Sequence, residues 1–135
     1  MGTWAVDAFG NDYAQDWAQD LHETSNLDAV EDTLNTVLDS GAELEAPFAA
    51  EGLVAIEVLA RLQGKGGPRT EDSASVDEWV EARKAKARPR ADLAEKAARA
   101  IERILSPESE LRQLWEDSEH YADWRAAVED LRTRL

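Results

Sequence analysis

Pro47-Phe48-Ala49-Ala50-Glu51-Gly52-Leu53-Val54-Ala55-Ile56-Glu57-Val58-Leu59-Ala60-Arg61-Leu62 is the stretch that decides the fold. Wound as a helix, its apolar residues Phe48, Leu53, Val54, Ile56, Val58, Leu59 and Leu62 cover most of the circumference instead of one stripe. A helix that is apolar nearly all round must be surrounded by protein, so the segment predicts a central helix. Pro47 suits its first turn. Two charges interrupt the apolar run, Glu57 and Arg61, four residues apart. That spacing places them on one face and predicts an intrahelical ion pair at the edge of the core. The rival reading makes Glu57 a pocket carboxylate doing acid–base work.

Outward from this centre the chain reads as helices joined by short breaks. Before it, Asn11 or Asp12 is positioned to cap a helix over roughly 12–23 with Tyr13, Trp17 and Leu21 as its stripe. Ser25 or Asn26 is positioned to cap a second, carrying Leu27, Val30, Leu34, Val37 and Leu38. Residues 1–11, with Trp4, Val6 and Phe9, read as an extended arm packed on the helices. After the centre, the glycine-rich 64–74 segment reads as a mobile loop. Ser75-Val76-Asp77-Glu78 has the capping-box pattern and predicts a short helix with Val76, Trp79 and Val80. A basic connector, 83–90, follows and ends as helix at Pro89. Leu93, Ala97, Ile101, Ile104 and Leu105 mark the next helix. Leu111, Leu114 and Trp115 mark another, and Tyr121, Trp124, Val128, Leu131 and Leu135 the last, after a phase break near Ser118. No run reads as a paired strand. The prediction is an all-α, single-domain, irregular bundle of five to seven helices with an extended N-terminal arm.

Charge is distributed unevenly along this pattern. The net charge is −14. Residues 1–60 hold thirteen carboxylates and no Lys or Arg, and the first base is Arg61. From there on, acids and bases nearly balance. Such an anionic field attracts basic surfaces and repels nucleic acid and anionic membrane. Neither nucleic acid nor membrane is therefore an expected partner.

Composition excludes several chemistries. There is no cysteine, hence no disulfide framework, thiolate zinc site or cysteine nucleophile. Met1 to Asp7 shows neither the basic nor the apolar region of a signal peptide. No apolar run reaches the length of a membrane span. The expectation is a soluble cytoplasmic protein. Gly64-Lys65-Gly66-Gly67 lacks the spacing of a phosphate-binding loop, and His-Glu-x-x-His is absent. The connector has no interleaved aromatics, so pairing with the acidic half or with solvent is expected of it rather than nucleic-acid binding.

Four sets of residues remain as candidates. Asp12, Asp16 and Asp20 repeat every four residues on one helix face, with Glu23 extending the stripe. Like charges so spaced cost a helix about 0.2–0.5 kcal/mol per pair, so they do not serve helix stability. They read either as a grip for a basic partner, as divalent-cation ligands, or as a solvated face. His22 and His120 are weak metal candidates, the second with Glu116 four residues earlier. Trp79 stands on a short helix with few apolar neighbours in sequence, which marks it as an exposed aromatic for a partner. Glu57 is the pocket carboxylate already described.

The opening Met1-Gly2-Thr3-Trp4, then Phe9-Gly10-Asn11-Asp12 and Asp16-Trp17, resembles the bacterial family known as domain of unknown function 4259. Glu45-Ala46-Pro47, Ile56 to Leu62, Ser109-Glu110-Leu111 with Leu114-Trp115, and Trp124 to Arg132 resemble it as well. The resemblance extends over the whole chain. It implies a stand-alone bacterial domain and no particular activity, catalytic residue or cofactor.

The expected function is a small acidic, non-catalytic module that docks a basic protein. Immunity proteins against nuclease toxins work by this logic, with carboxylates in the place of phosphates. Two alternatives stand beside it: a divalent-metal-binding protein or metal-dependent enzyme built on the acidic helix face, and a homo-oligomeric subunit that buries its exposed aromatics. No cofactor is expected.

Overall fold

The computed structural model describes residues 7–23, 27–67, 69–83 and 91–135. Most of the expected arm (1–6), the expected caps Ser25 and Asn26, Pro68 of the loop, and residues 84–90 of the basic connector lie outside the described residues. Among the described residues there are seven helices. They are α1 (Asp12–Leu21), α2 (Asp28–Leu38), α3 (Ala46–Leu62), α4 (Ala74–Arg83), α5 (Ala91–Ile104), α6 (Glu110–Glu116) and α7 (Tyr121–Thr133). The only β pairing among them is one isolated bridge, Leu44 with Ser109. The fold is all-α, as the periodicity predicts.

The α3 helix is the axis. Every residue from Gly52 to Arg61 is buried, and α3 touches each of the other six helices. Its apolar circumference is therefore covered from all sides, which is what such a sequence requires. Gly52 permits a close approach: a Cβ there would lie 2.9 Å from Val37 of α2 and 3.5 Å from Ile104 of α5. The N-terminus of α3 is closed by a distant segment. Leu44 N–H donates to the Glu108 carbonyl at 3.0 Å, and Glu110 N–H donates to the Leu44 carbonyl at 2.8 Å. The Glu110 carboxylate then accepts from Ala46 N–H at 2.8 Å, an anion at the positive end of a helix. The Glu45-Ala46-Pro47 and Ser109-Glu110-Leu111 segments thus meet in space.

Polar ties fix the outer helices. Trp17 Nε1 donates to Thr33 Oγ1 at 2.8 Å, joining α1 to α2. Lys96 reaches Asn35 at 3.0 Å and Glu31 at 3.4 Å, joining α5 to α2. Trp115 stacks on Trp124 with centroids 6.2 Å apart, joining α6 to α7. Stacking of this kind adds about 0.5–1.5 kcal/mol beyond area burial.

Five local expectations change. Tyr13 is 40% exposed, and the buried face of α1 is Ala14, Trp17, Ala18 and Leu21. A strict four-residue repeat drifts around a 3.6-residue helix, so Tyr13 leaves the stripe that its spacing implied. Phe48 and Leu114 are likewise exposed. The α4 helix starts at Ala74, two residues before the expected position. The Ser73 carbonyl accepts from Asp77 N–H at 2.9 Å, and Ser73 Oγ donates to Asp77 Oδ2 at 2.8 Å. Trp79, expected to be exposed, is only 2% exposed. Packing of α3 and α1 against α4 supplies the cover that its own helix lacks.

Candidate functional site

Two charged regions stand out, and they differ in kind. The first is a clasp around Glu57. This carboxylate takes Arg61 Nε at 3.2 Å on one oxygen and Arg134 Nη2 at 2.7 Å on the other. Arg61 also reaches Asp77 of α4 at 2.6 Å, and Arg134 reaches Asp130 at 3.0 Å. The expected ion pair within α3 is present, extended by partners that sequence spacing does not reveal. The side chains of Glu57 and Arg61 are 7% and 5% exposed. Buried charges of this kind persist only when paired and hydrogen-bonded. Burial pulls the Arg134 guanidinium down, and the carboxylates of Glu57 and Asp130 more than offset that and hold it above its ordinary value. The Phe9 ring lies against the Arg61 guanidinium at 5.0 Å. The glycine loop closes the clasp from outside. Lys65 carbonyl accepts from Arg134 Nη1 at 3.1 Å. A Cβ on Gly66 would collide with the Arg61 side chain.

The second region is the acidic face. Asp12, Asp16, Asp20 and Glu23 are exposed on and just after α1. Among the described residues, no Lys or Arg forms an ion pair with any of them, nor with Asp39, Glu43, Glu45 or Glu51. Glu51 of α3 lies in the field of Asp20 and Asp16. Its carboxyl is raised above its ordinary value, first by burial and then by those two carboxylates. Three residues before Glu51, hence beside it on the helix surface, is Phe48. Phe48 is 39% exposed. It lines a shallow groove of about 380 Å³ with Asn35, Thr36, Asp39, Ser40, Glu43 and Glu45. The tract therefore runs from α1 across Glu51 to an exposed ring in an acidic groove. Sequence reasoning identified the α1 stripe and missed Glu51, Phe48 and the groove. The available signal was the spacing of Phe48 and Glu51, three residues apart on α3 and so on one face.

His22 caps the C-terminal end of α1, between Asp20 and Glu23, and His120 precedes α7. The His22 ring lies 2.8 Å from the Ser75 carbonyl, which can only accept, so its Nε2–H donates. His120 faces Asp123 at 3.8 Å, both exposed. Glu116 accepts from Arg112 at 3.1 Å instead of joining His120. Among the described residues, no group of three His, Asp or Glu side chains is placed to hold a metal ion. Glu57 is held by two arginines and does not join the α1 stripe. Trp79 lies in the core, under the Arg83 guanidinium at 4.7 Å from its ring centre. Among the described residues, no helix is long and apolar enough to cross a membrane.

No curated protein and no solved structure matches the chain. A family model does match, over residues 2–127. It spans the 7–11 segment, the clasp helix α3, the Leu44–Ser109 bridge and the acidic face. The chain belongs to the family described as domain of unknown function DUF4259.

Proposed function

We propose that the chain is a non-catalytic binding module whose acidic face docks a basic protein in the cytoplasm. One observation carries this reading. The carboxylates of α1 and of the Phe48 groove lack cationic partners among the described residues, whereas those of the clasp and of α7 have them. Unneutralised charge around an exposed aromatic supplies two things a docking surface uses. The field steers a basic partner and raises its rate of encounter. The ring offers an apolar anchor within the polar surround. The crowding felt by Glu51 supports the same reading, since an arriving cation relieves it. Carboxylates standing in for phosphates make a nucleic-acid-binding protein a fitting partner, as in immunity-type inhibition.

The test is a capture experiment in the native host with wild type and an Asp12→Asn, Asp16→Asn, Asp20→Asn variant, read by mass spectrometry. The expected result is a basic protein bound by wild type, released by salt and lost in the variant. The same partners on both proteins, or none, would make the stripe a solvated face.

A further inference from the structure

We propose that the cleft beside the Glu57 clasp binds a small organic ammonium ion with a compact apolar body. The cleft has a volume of about 210 Å³ and is lined by the 7–9 segment, α3, the glycine loop and α7. At roughly 30 Å³ per water, it holds about seven waters' worth of ligand. Its lining is graded. Phe9, Leu53, Val128 and Leu131 are all buried and form an apolar floor. Asp7 is exposed and the Asp130 side chain is 66% exposed, which puts these two carboxylates at the rim. Each keeps an oxygen for a ligand among the described residues. Asp7 uses Oδ1 for the backbone N–H groups of Phe9 and Gly10. Asp130 uses Oδ2 for Arg134.

The sign of the ligand follows from what the cations already do. Arg61 and Arg134 both line the cleft, but each is already gripped by two carboxylates. Three carboxylates therefore face two spoken-for guanidinia, in a chain of net charge −14. An anion would meet guanidinia whose charge is already neutralised by carboxylates and would enter against the field, whereas an ammonium meets unoccupied acceptor oxygens. An apolar body is needed to cover the floor, because rim carboxylates alone bind weakly in water. The site is separate from the acidic face and uses none of its residues.

The probes are 3-methylbutylamine, 3-methylbutanoate and leucine, which share one apolar body and differ in head group. Each is titrated into the full chain and followed by calorimetry and amide chemical shifts. The amine should bind saturably, with shifts centred on Phe9, Leu53 and Val128. Asp7→Asn with Asp130→Asn keeps the acceptors that hold Phe9, Gly10 and Arg134. It should weaken the amine by about tenfold, the usual scale for removing a charged hydrogen-bond partner. Ala127→Leu fills the cleft without removing a polar contact and should abolish saturation. Asp117→Asn with Glu119→Gln makes the same change of charge elsewhere and should leave the affinity unchanged. Failure of the amine to saturate would overturn the proposal. So would equal or tighter binding of 3-methylbutanoate or leucine, or equal weakening by the Asp117/Glu119 pair.

Discussion

Glu51 and Glu57 are glutamates on the same helix, six residues apart, in opposite electrical surroundings. Glu57 is buried and holds two guanidinia. Glu51 is half-buried, without a cationic partner among the described residues, and pressed by two aspartates. The chain uses its acids in two ways. Where the N-terminal half turns inward, carboxylates bind arginines from the C-terminal half and fix the helices to one another. On α1 and around Phe48, they have no cationic partner among the described residues and are left as field. Sequence charge alone does not separate the two uses, because both are Glu on an apolar helix. Position on the α3 circumference does.

Breaking the clasp should have the largest effect. Glu57→Ala leaves two guanidinia without their shared carboxylate, and removing one partner of a buried pair costs about 3–5 kcal/mol. Urea denaturation should show that loss as a lower midpoint with little change in slope. Next comes the loop that covers the clasp. Gly66→Ala forces a Cβ against Arg61, an overpacking change expected to cost about 1–3 kcal/mol.

Glu51 should respond in the opposite direction. Its folded-state affinity for a proton is raised, so the stability tied to its protonated form is present at low pH and is lost as pH rises through its titration. Glu51→Gln should therefore melt above wild type at pH 7. The gap should close below about pH 3, where glutamates are protonated in both states. The smallest effect is expected at Phe48. Phe48→Ala removes an exposed ring and should change stability by about 0.5 kcal/mol or less, while weakening capture of the basic protein proposed above. A large loss of stability there would mean that the groove belongs to the core.

The sequence makes the central helix legible because α3 carries its evidence on every side. Its apolar residues leave no face for water, and all six other helices cover it. The α5 and α7 helices were legible from single stripes, Leu93 to Ile104 and Trp124 to Leu131. The Glu57–Arg61 pair was legible because both members lie on one helix. Arg134 was not, since 77 residues separate it from Glu57 and only the fold brings them together. Trp79 misled for the related reason that its cover comes from other helices. The start of α4 was misplaced because Ser73 and Ser75 compete as first residues. The choice falls to Ser73, which Thr70 backs by exchanging hydrogen bonds with it. On the acidic face, the α1 stripe was legible from its four-residue spacing. Its continuation through Glu51 to Phe48 was not, because the packing of α1 on α3 assembles it.

We infer that the carboxylates of α1, Glu51 and the Phe48 groove, which lack cationic partners among the described residues, carry uncompensated charge, whereas those of the clasp do not. Thermal melting from about 0.01 M to about 0.5 M salt, where the Debye length falls from about 30 Å to a few ångströms, tests it most directly. Wild type is compared with an Asp16→Asn, Asp20→Asn, Glu51→Gln variant. Salt should raise the melting temperature of wild type, and the variant should start higher and gain much less. Equal gains in both proteins, or a fall in wild type, would mean that the acidic face is already compensated and would contradict the account.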